Sequence, residues 1–222
     1  MAHKDEKRNT LYANLMGEVK ARIDCISTTC QGRGGYPSVI VREFCYLQLR
    51  ILCELIALAC LVAHGDISSL QTHKIGKAYS ADEIIDRLSK LRPHFYPIPG
   101  KQIWSGPGKP VGFEALASSP FAKEELLALY GKTHRFVHRG TLKKLLSMDT
   151  PIDTHVNIPE IIQYAQKIND LLSHHVIAVS ESHLIICLLR NADHQNNVQV
   201  ITAERPQQKP LSAGSISGQS AE

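Results

Sequence analysis

Two spacings of apolar residues divide this chain, one helical and one extended. From Thr10 to about Ser27, Leu11, Leu15, Val19, Ile23 and Ile26 recur at three- and four-residue steps, the signature of one helical face. The stretch Ser38–His64 (SVIVREFCYLQLRILCELIALACLVAH) is denser. Leu49, Cys53, Ile56, Cys60 and Ala63 line one side of it, and Phe44, Leu47, Ile51, Leu55 and Leu58 cover much of the rest. A helix apolar nearly all round is buried on most sides, so the remainder of the chain is expected to assemble around it. Its polar exceptions are Arg42, Glu43, Gln48, Arg50 and Glu54. Arg50 and Glu54 lie one turn apart and can pair. Without pairing and hydrogen bonding, burial would cost each charge on the order of several kcal/mol.

Further along, Gly65 is placed to end the central helix in a left-handed cap. Ser80, with Asp82 and Glu83 after it, starts a helix that must stop before Pro93. Pro93–Pro110 reads as a stiff loop that Phe95, Tyr96 and Trp104 pin to the core, the alternative being aromatics that stack on bases. Ser119-Pro120 opens a helical stretch through Leu145, weakened at Gly131 and Gly140. Pro159 and Glu160 start another that runs to about Leu172. Then the period shortens to two. Val176–Ser180, His183–Arg190 and Val198–Ala203, separated by short polar segments, form an expected antiparallel meander. The fold class is therefore mainly α: a helical bundle over residues 1–175 around a long central apolar helix, with a small C-terminal β-hairpin or meander at 176–205 packed on it. The Pro, Gln, Ser and Gly of 206–222 read as a disordered tail.

Composition narrows the setting. A 222-residue chain with 43% hydrophobic residues can build a substantial core, and a net charge of +4 permits nucleic-acid contact without requiring it. The polar start MAHKDEKRNT is not a secretory signal. The charge-free part of the central helix after Glu54 is too short to span a membrane, so none is expected. Cysteines 25, 30, 45, 53, 60 and 187 contain no Cys-x-x-Cys pair, which suits reduced thiols in the cytoplasm. The glycines of Thr28–Pro37 are followed by no Gly-Lys-Ser/Thr, and no Gly-x-Ser-x-Gly elbow occurs, so neither a phosphate loop nor that form of acyl transfer is indicated.

Chemistry concentrates in Lys132-Thr133-His134-Arg135-Phe136-Val137-His138-Arg139. His134 and His138 stand at the spacing of a zinc clamp. Arg135, however, occupies the place of the glutamate in His-Glu-x-x-His, and a cation there opposes a metal. No metal and no cofactor are expected. In a second reading, Lys132, Arg135 and Arg139 hold phosphates while His138 serves as acid or base. In a third, the cluster is structural, with Arg135 or His134 answering Glu54.

Gln48, Arg50 and Glu54 on the apolar helix, with Leu129-Tyr130-Gly131 and Phe136-Val137-His138 on a later one, resemble the HEPN-like superfamily of helical bundles across roughly Thr10–Leu172. That resemblance implies a bundle of four or five helices, usually homodimeric, common in toxin and phage-defence systems. Active members are metal-independent ribonucleases whose motif sets an Arg a short distance before a His. The corresponding positions before His138 hold Gly131, Lys132 and Thr133, so Lys132 would supply the charge. On this resemblance His138, Lys132 and Arg135 are expected to be catalytic and His134 and Arg139 to contact RNA, with Arg50 and Glu54 as the supporting polar shell. The alternative is a non-catalytic interaction or dimerisation protein, with residues 176–205 meeting a protein partner.

Overall fold

The computed structural model describes residues 2–32, 34–65, 78, 80–103, 112–137, 157–180, 182–191 and 195–204. The described part is mainly helical with one antiparallel sheet. Its helices are α1 (Ala2–Cys30), α2 (Ser38–Ala63), α3 (Ala81–Leu91), α4 (Lys123–Val137) and α5 (Ile158–Leu172). The strands are β1 (Ile98–Ile103), β2 (Gly112–Ala115), β3 (His174–Ala178), β4 (His183–Asn191) and β5 (Asn197–Glu204), in spatial order β2-β1-β3-β4-β5. The expected tail at 206–222 lies outside the described residues.

α2 sits at the centre because its composition leaves it no other stable place. Leu49, Leu52, Cys53, Ile56, Ala57 and Cys60 are almost completely buried, and α1, α3, α4 and α5 all pack against it. By length and hydropathy it could cross a membrane, yet 61% of its most apolar window is covered by the rest of the molecule, the position of a core helix. Its end differs from expectation. His64, not a left-handed Gly65, caps it. The buried ring of His64 lies between two carbonyls, 2.8 Å from that of Cys60 and 3.1 Å from that of Ala178, and so ties the helix end to β3. Positive φ appears instead at Gly32 and Gly35, in the turn between α1 and α2, where glycine carries no Cβ penalty.

α1 presents Tyr12, Met16, Val19, Ile23 and Ile26 to the core, while Leu11 is 47% exposed. The buried stripe is thus rotated slightly from the expected aliphatic one. A tyrosine is accepted inside because its hydroxyl has a partner, His175 Nε2 at 2.6 Å. An adjoining side of α1 leans on β4 and β5. There Arg190 pairs with Asp24 (2.6 Å), Lys20 donates to the Asn196 carbonyl (2.7 Å), and Asn9 donates to Thr202 (2.9 Å). α5 begins where expected, with Pro159 in its first turn, and Asn157 Oδ1 adds a cap by accepting from the Glu160 amide.

The expected meander forms the β3-β4-β5 part of the sheet. The stretch after Pro93 departs from expectation, because part of it is strand rather than loop. β1 pairs with β2 from Gly100↔Ala115 to Ile103↔Gly112, and with β3 at Ile98↔Val176 and Pro99↔His175. Pro99 and Gly100 suppress the strand signal locally, since both residues are poor strand formers. Gly100 is required nonetheless: a Cβ there would collide with the Phe113 ring and the Glu114 carbonyl oxygen. Phe95 is fully buried, in the anchoring role expected of it, and Trp104 lies outside the described residues.

Candidate functional site

Two polar clusters join α2 to α4. In the first, Arg50 Nε lies 3.3 Å from Glu54 Oε1, with the two side chains 22% and 28% exposed. Arg50 also donates to the Tyr130 hydroxyl (2.6 Å) and stacks 4.1 Å above the Tyr130 ring centre. Tyr130 in turn donates to Glu54 (3.1 Å). Each charge is therefore answered, as the apolar surroundings require. The partner is not the expected Arg135 or His134 but Tyr130. Its hydroxyl accepts from the cation and donates to the anion, and burial together with the nearby Glu54 raises its pKa.

The second cluster surrounds Phe136, which stacks on Tyr46 with ring centres 3.8 Å apart and planes 7° from parallel. The guanidinium groups of Arg42 and Arg135 lie 5.6 and 5.8 Å from the Phe136 ring centre, within cation–π range. Lys132 is ion-paired with Glu160 of α5, and the other oxygen of that carboxylate accepts from the Tyr46 hydroxyl at 2.9 Å. The Lys132 hydrogen bond, with that of Tyr46, holds the Glu160 carboxyl below its usual range. Burial, reinforced by Glu160, pushes the Tyr46 phenol well up. Lys132 thus has a carboxylate partner within the fold.

Of the expected site residues, Lys132, His134 and Arg135 follow one another on the last turns of α4, with His134 and Arg135 exposed. Arg50 and Glu54, expected as a supporting polar shell, meet at Tyr130, about one turn before His134 and Arg135 on α4. His138 and Arg139 lie outside the described residues, so the expected acid–base is not placed against them. Among the described residues no three His, Cys, Asp or Glu side chains gather as a metal would need. Three residues that organise these clusters, Tyr46, Tyr130 and Glu160, carry no sequence signal for that role. Tyr46 and Glu160 stand 114 positions apart, and no spacing rule joins them.

Between the flanks where α1 and α4 pack, α2 turns a third face outward. The α1 flank is marked by Arg22 donating to Gln48 (2.6 Å) and by Cys30 beside Cys45 (3.9 Å). The α4 flank carries the clusters above. Along the outer face run Ile40 (43% exposed), Phe44, Leu47 (41% exposed) and Ile51. With Glu43, Phe136 and Val137, the first three line an open groove of about 340 Å³.

Compared with protein-family models, curated proteins and solved structures, the chain matches none of them. Its function has to be argued from side-chain geometry.

Proposed function

We propose that this chain is a non-catalytic helical interaction protein that docks through the outer face of α2. The observation that carries the reading is the pair of large aliphatic side chains, Ile40 and Leu47, left more than two-fifths exposed beside an apolar groove. Scattered apolar residues on a surface are ordinary, whereas a contiguous stripe on a core helix marks a contact surface. The cations of the neighbouring clusters fit the same reading: Arg50 and Lys132 neutralise Glu54 and Glu160 and so hold the platform rigid. The helices are taken to form a bundle around α2. A reducing, cytoplasmic setting belongs to the proposal, supported by the free thiols of all six cysteines.

The resemblance to HEPN-like bundles supplies a second reading, that the protein binds or cleaves RNA. It is favoured by one observation: Arg135 is exposed at the end of α4, beside exposed His134 and the Phe136–Tyr46 stack. Aromatic and basic groups placed together can hold single-stranded RNA. Incubating the full chain and its His138→Ala variant with mixed-sequence RNA separates the two readings. No cleavage by wild type, and no binding that weakens steeply with salt, is expected. Cleavage by wild type that His138→Ala abolishes would overturn the non-catalytic reading.

A further inference from the structure

We infer that the occupant of the outer face of α2 is a second copy of this chain, laid antiparallel across it about a two-fold axis between Cys45 and Tyr46. The inference rests on the docking reading above and adds the partner and the register.

Ile40, Phe44, Leu47 and Ile51 succeed one another at steps of four, three and four residues, the alternation that forms a coiled-coil seam. With the axis between Cys45 and Tyr46, Ile40 faces the partner's Ile51 and Phe44 faces the partner's Leu47. The two-fold repeats both contacts. Glu43 and Arg50 both lie on the flank of this seam nearer α4. In this register each Glu43 comes beside the partner's Arg50, making two symmetric ion pairs. A parallel alignment gives up that complementarity, since Glu43 would meet Gln48 and Arg50 would meet Leu55, one polar and one apolar residue. Arg50 is already held in position by Glu54 and Tyr130, so presenting its charge costs little ordering. An isologous two-fold contact of this kind is self-complementary and closes at two copies.

The register also says where the contact stops. Leu58 continues the seam, but its counterpart would be residue 33 of the second copy, before α2 begins at Ser38. Leu58 therefore lies beyond the overlap.

Two measurements test this. In a Cys25→Ser background, which removes the exposed thiol, Ile40→Cys and Ile51→Cys proteins are mixed and mildly oxidised. The mixture is expected to yield a disulfide-linked pair and each protein alone to yield none. Identical positions would lie about 16 Å apart along the axes, 11 residues at 1.5 Å each, beyond disulfide reach. Equal cross-linking in the separate samples would overturn the register. In sedimentation, wild type and Leu58→Gln are expected at twice the 24.6 kDa chain mass and Leu47→Glu at the chain mass, with unchanged helical circular dichroism. A wild type that stays at the chain mass up to about 100 μM would overturn the second-copy inference, as would dissociation by Leu58→Gln but not Leu47→Glu. Such a failure leaves the RNA result, which judges the non-catalytic reading, untouched.

Discussion

His175 makes stability depend on pH in a way that can be worked out from its surroundings. The ring, on β3, is fully buried. Its Nδ1 lies 2.9 Å from the Leu172 carbonyl oxygen and its Nε2 2.6 Å from the Tyr12 hydroxyl. A carbonyl accepts only, so Nδ1 carries the proton and donates. Burial raises the pKa of Tyr12, so its hydroxyl stays protonated and donates to Nε2. Both ring nitrogens are thus satisfied in the neutral form. Adding a proton would turn the Tyr12 contact against itself and bury a charge. Burial accordingly lowers the His175 pKa from 6.5 to about 4. Below the unfolded pKa the unfolded chain binds a proton that the folded chain refuses, so stability rises with pH across this window. The contribution is complete above pH 6.5 and lost as pH falls toward 4. A shift of about 2.5 units corresponds to about 3 kcal/mol, of which about 2.5 kcal/mol is gone by pH 4.5. His64 and His174 are also held below their usual range, and they push in the same direction. The assay must therefore compare denaturant unfolding of wild type and His175→Gln between pH 7.5 and 4.5. Wild type should lose about 2.5 kcal/mol more than the variant over that range. Parallel stability curves, or an NMR titration of the His175 ring with a midpoint near 6.5, would refute the reasoning.

The packing sets three further outcomes. Tyr130→Phe removes the hydroxyl that bridges Arg50 and Glu54; because water reaches both charges, the expected loss is about 1–2 kcal/mol, and no change in unfolding free energy would show the bridge to be idle. Lys132→Met leaves Glu160 with Tyr46 as its remaining partner in this cluster. It should cost about 1 kcal/mol at pH 7, and because Lys132 holds the Glu160 carboxyl below its usual range the cost should shrink as pH falls below 4.5 and Glu160 takes up its proton; a loss independent of pH would count against the ion pair. Gly100→Ala drives a methyl into the Phe113 ring and a backbone carbonyl that cannot swing away, so about 2–3 kcal/mol should be lost. A neutral result in thermal unfolding would mean that β1 and β2 do not pair as described.

What could be read from the sequence was whatever periodicity and composition carry locally. α2 was legible because nearly every turn of it is apolar, and the Arg50–Glu54 pair because one turn separates two opposite charges in that setting. Pro159 and Glu160 marked the start of α5, and β3 to β5 showed in their aliphatic, β-branched runs. β1 was hidden by Pro99 and Gly100, residues whose local preference opposes a strand that neighbouring strands nonetheless impose. The answer to Glu54 was hidden for another reason. Tyr130 reads as one more apolar position on α4, and only the crossing of α4 over α2 brings its hydroxyl to the charges. The Lys132–Glu160 pair was hidden likewise, because the carboxylate comes from α5, 28 positions further on. Tertiary partners of this kind leave no mark at short range.

The central claim is that the outer face of α2 is a contact surface for a second copy. The direct measurement is the thermal unfolding midpoint of the full chain across a hundredfold range of protein concentration, beside that of an Ile40→Gln/Leu47→Gln variant. Association of folded copies makes the midpoint rise with concentration, so wild type should climb and the variant should stay level. A wild-type midpoint that does not move would contradict the claim.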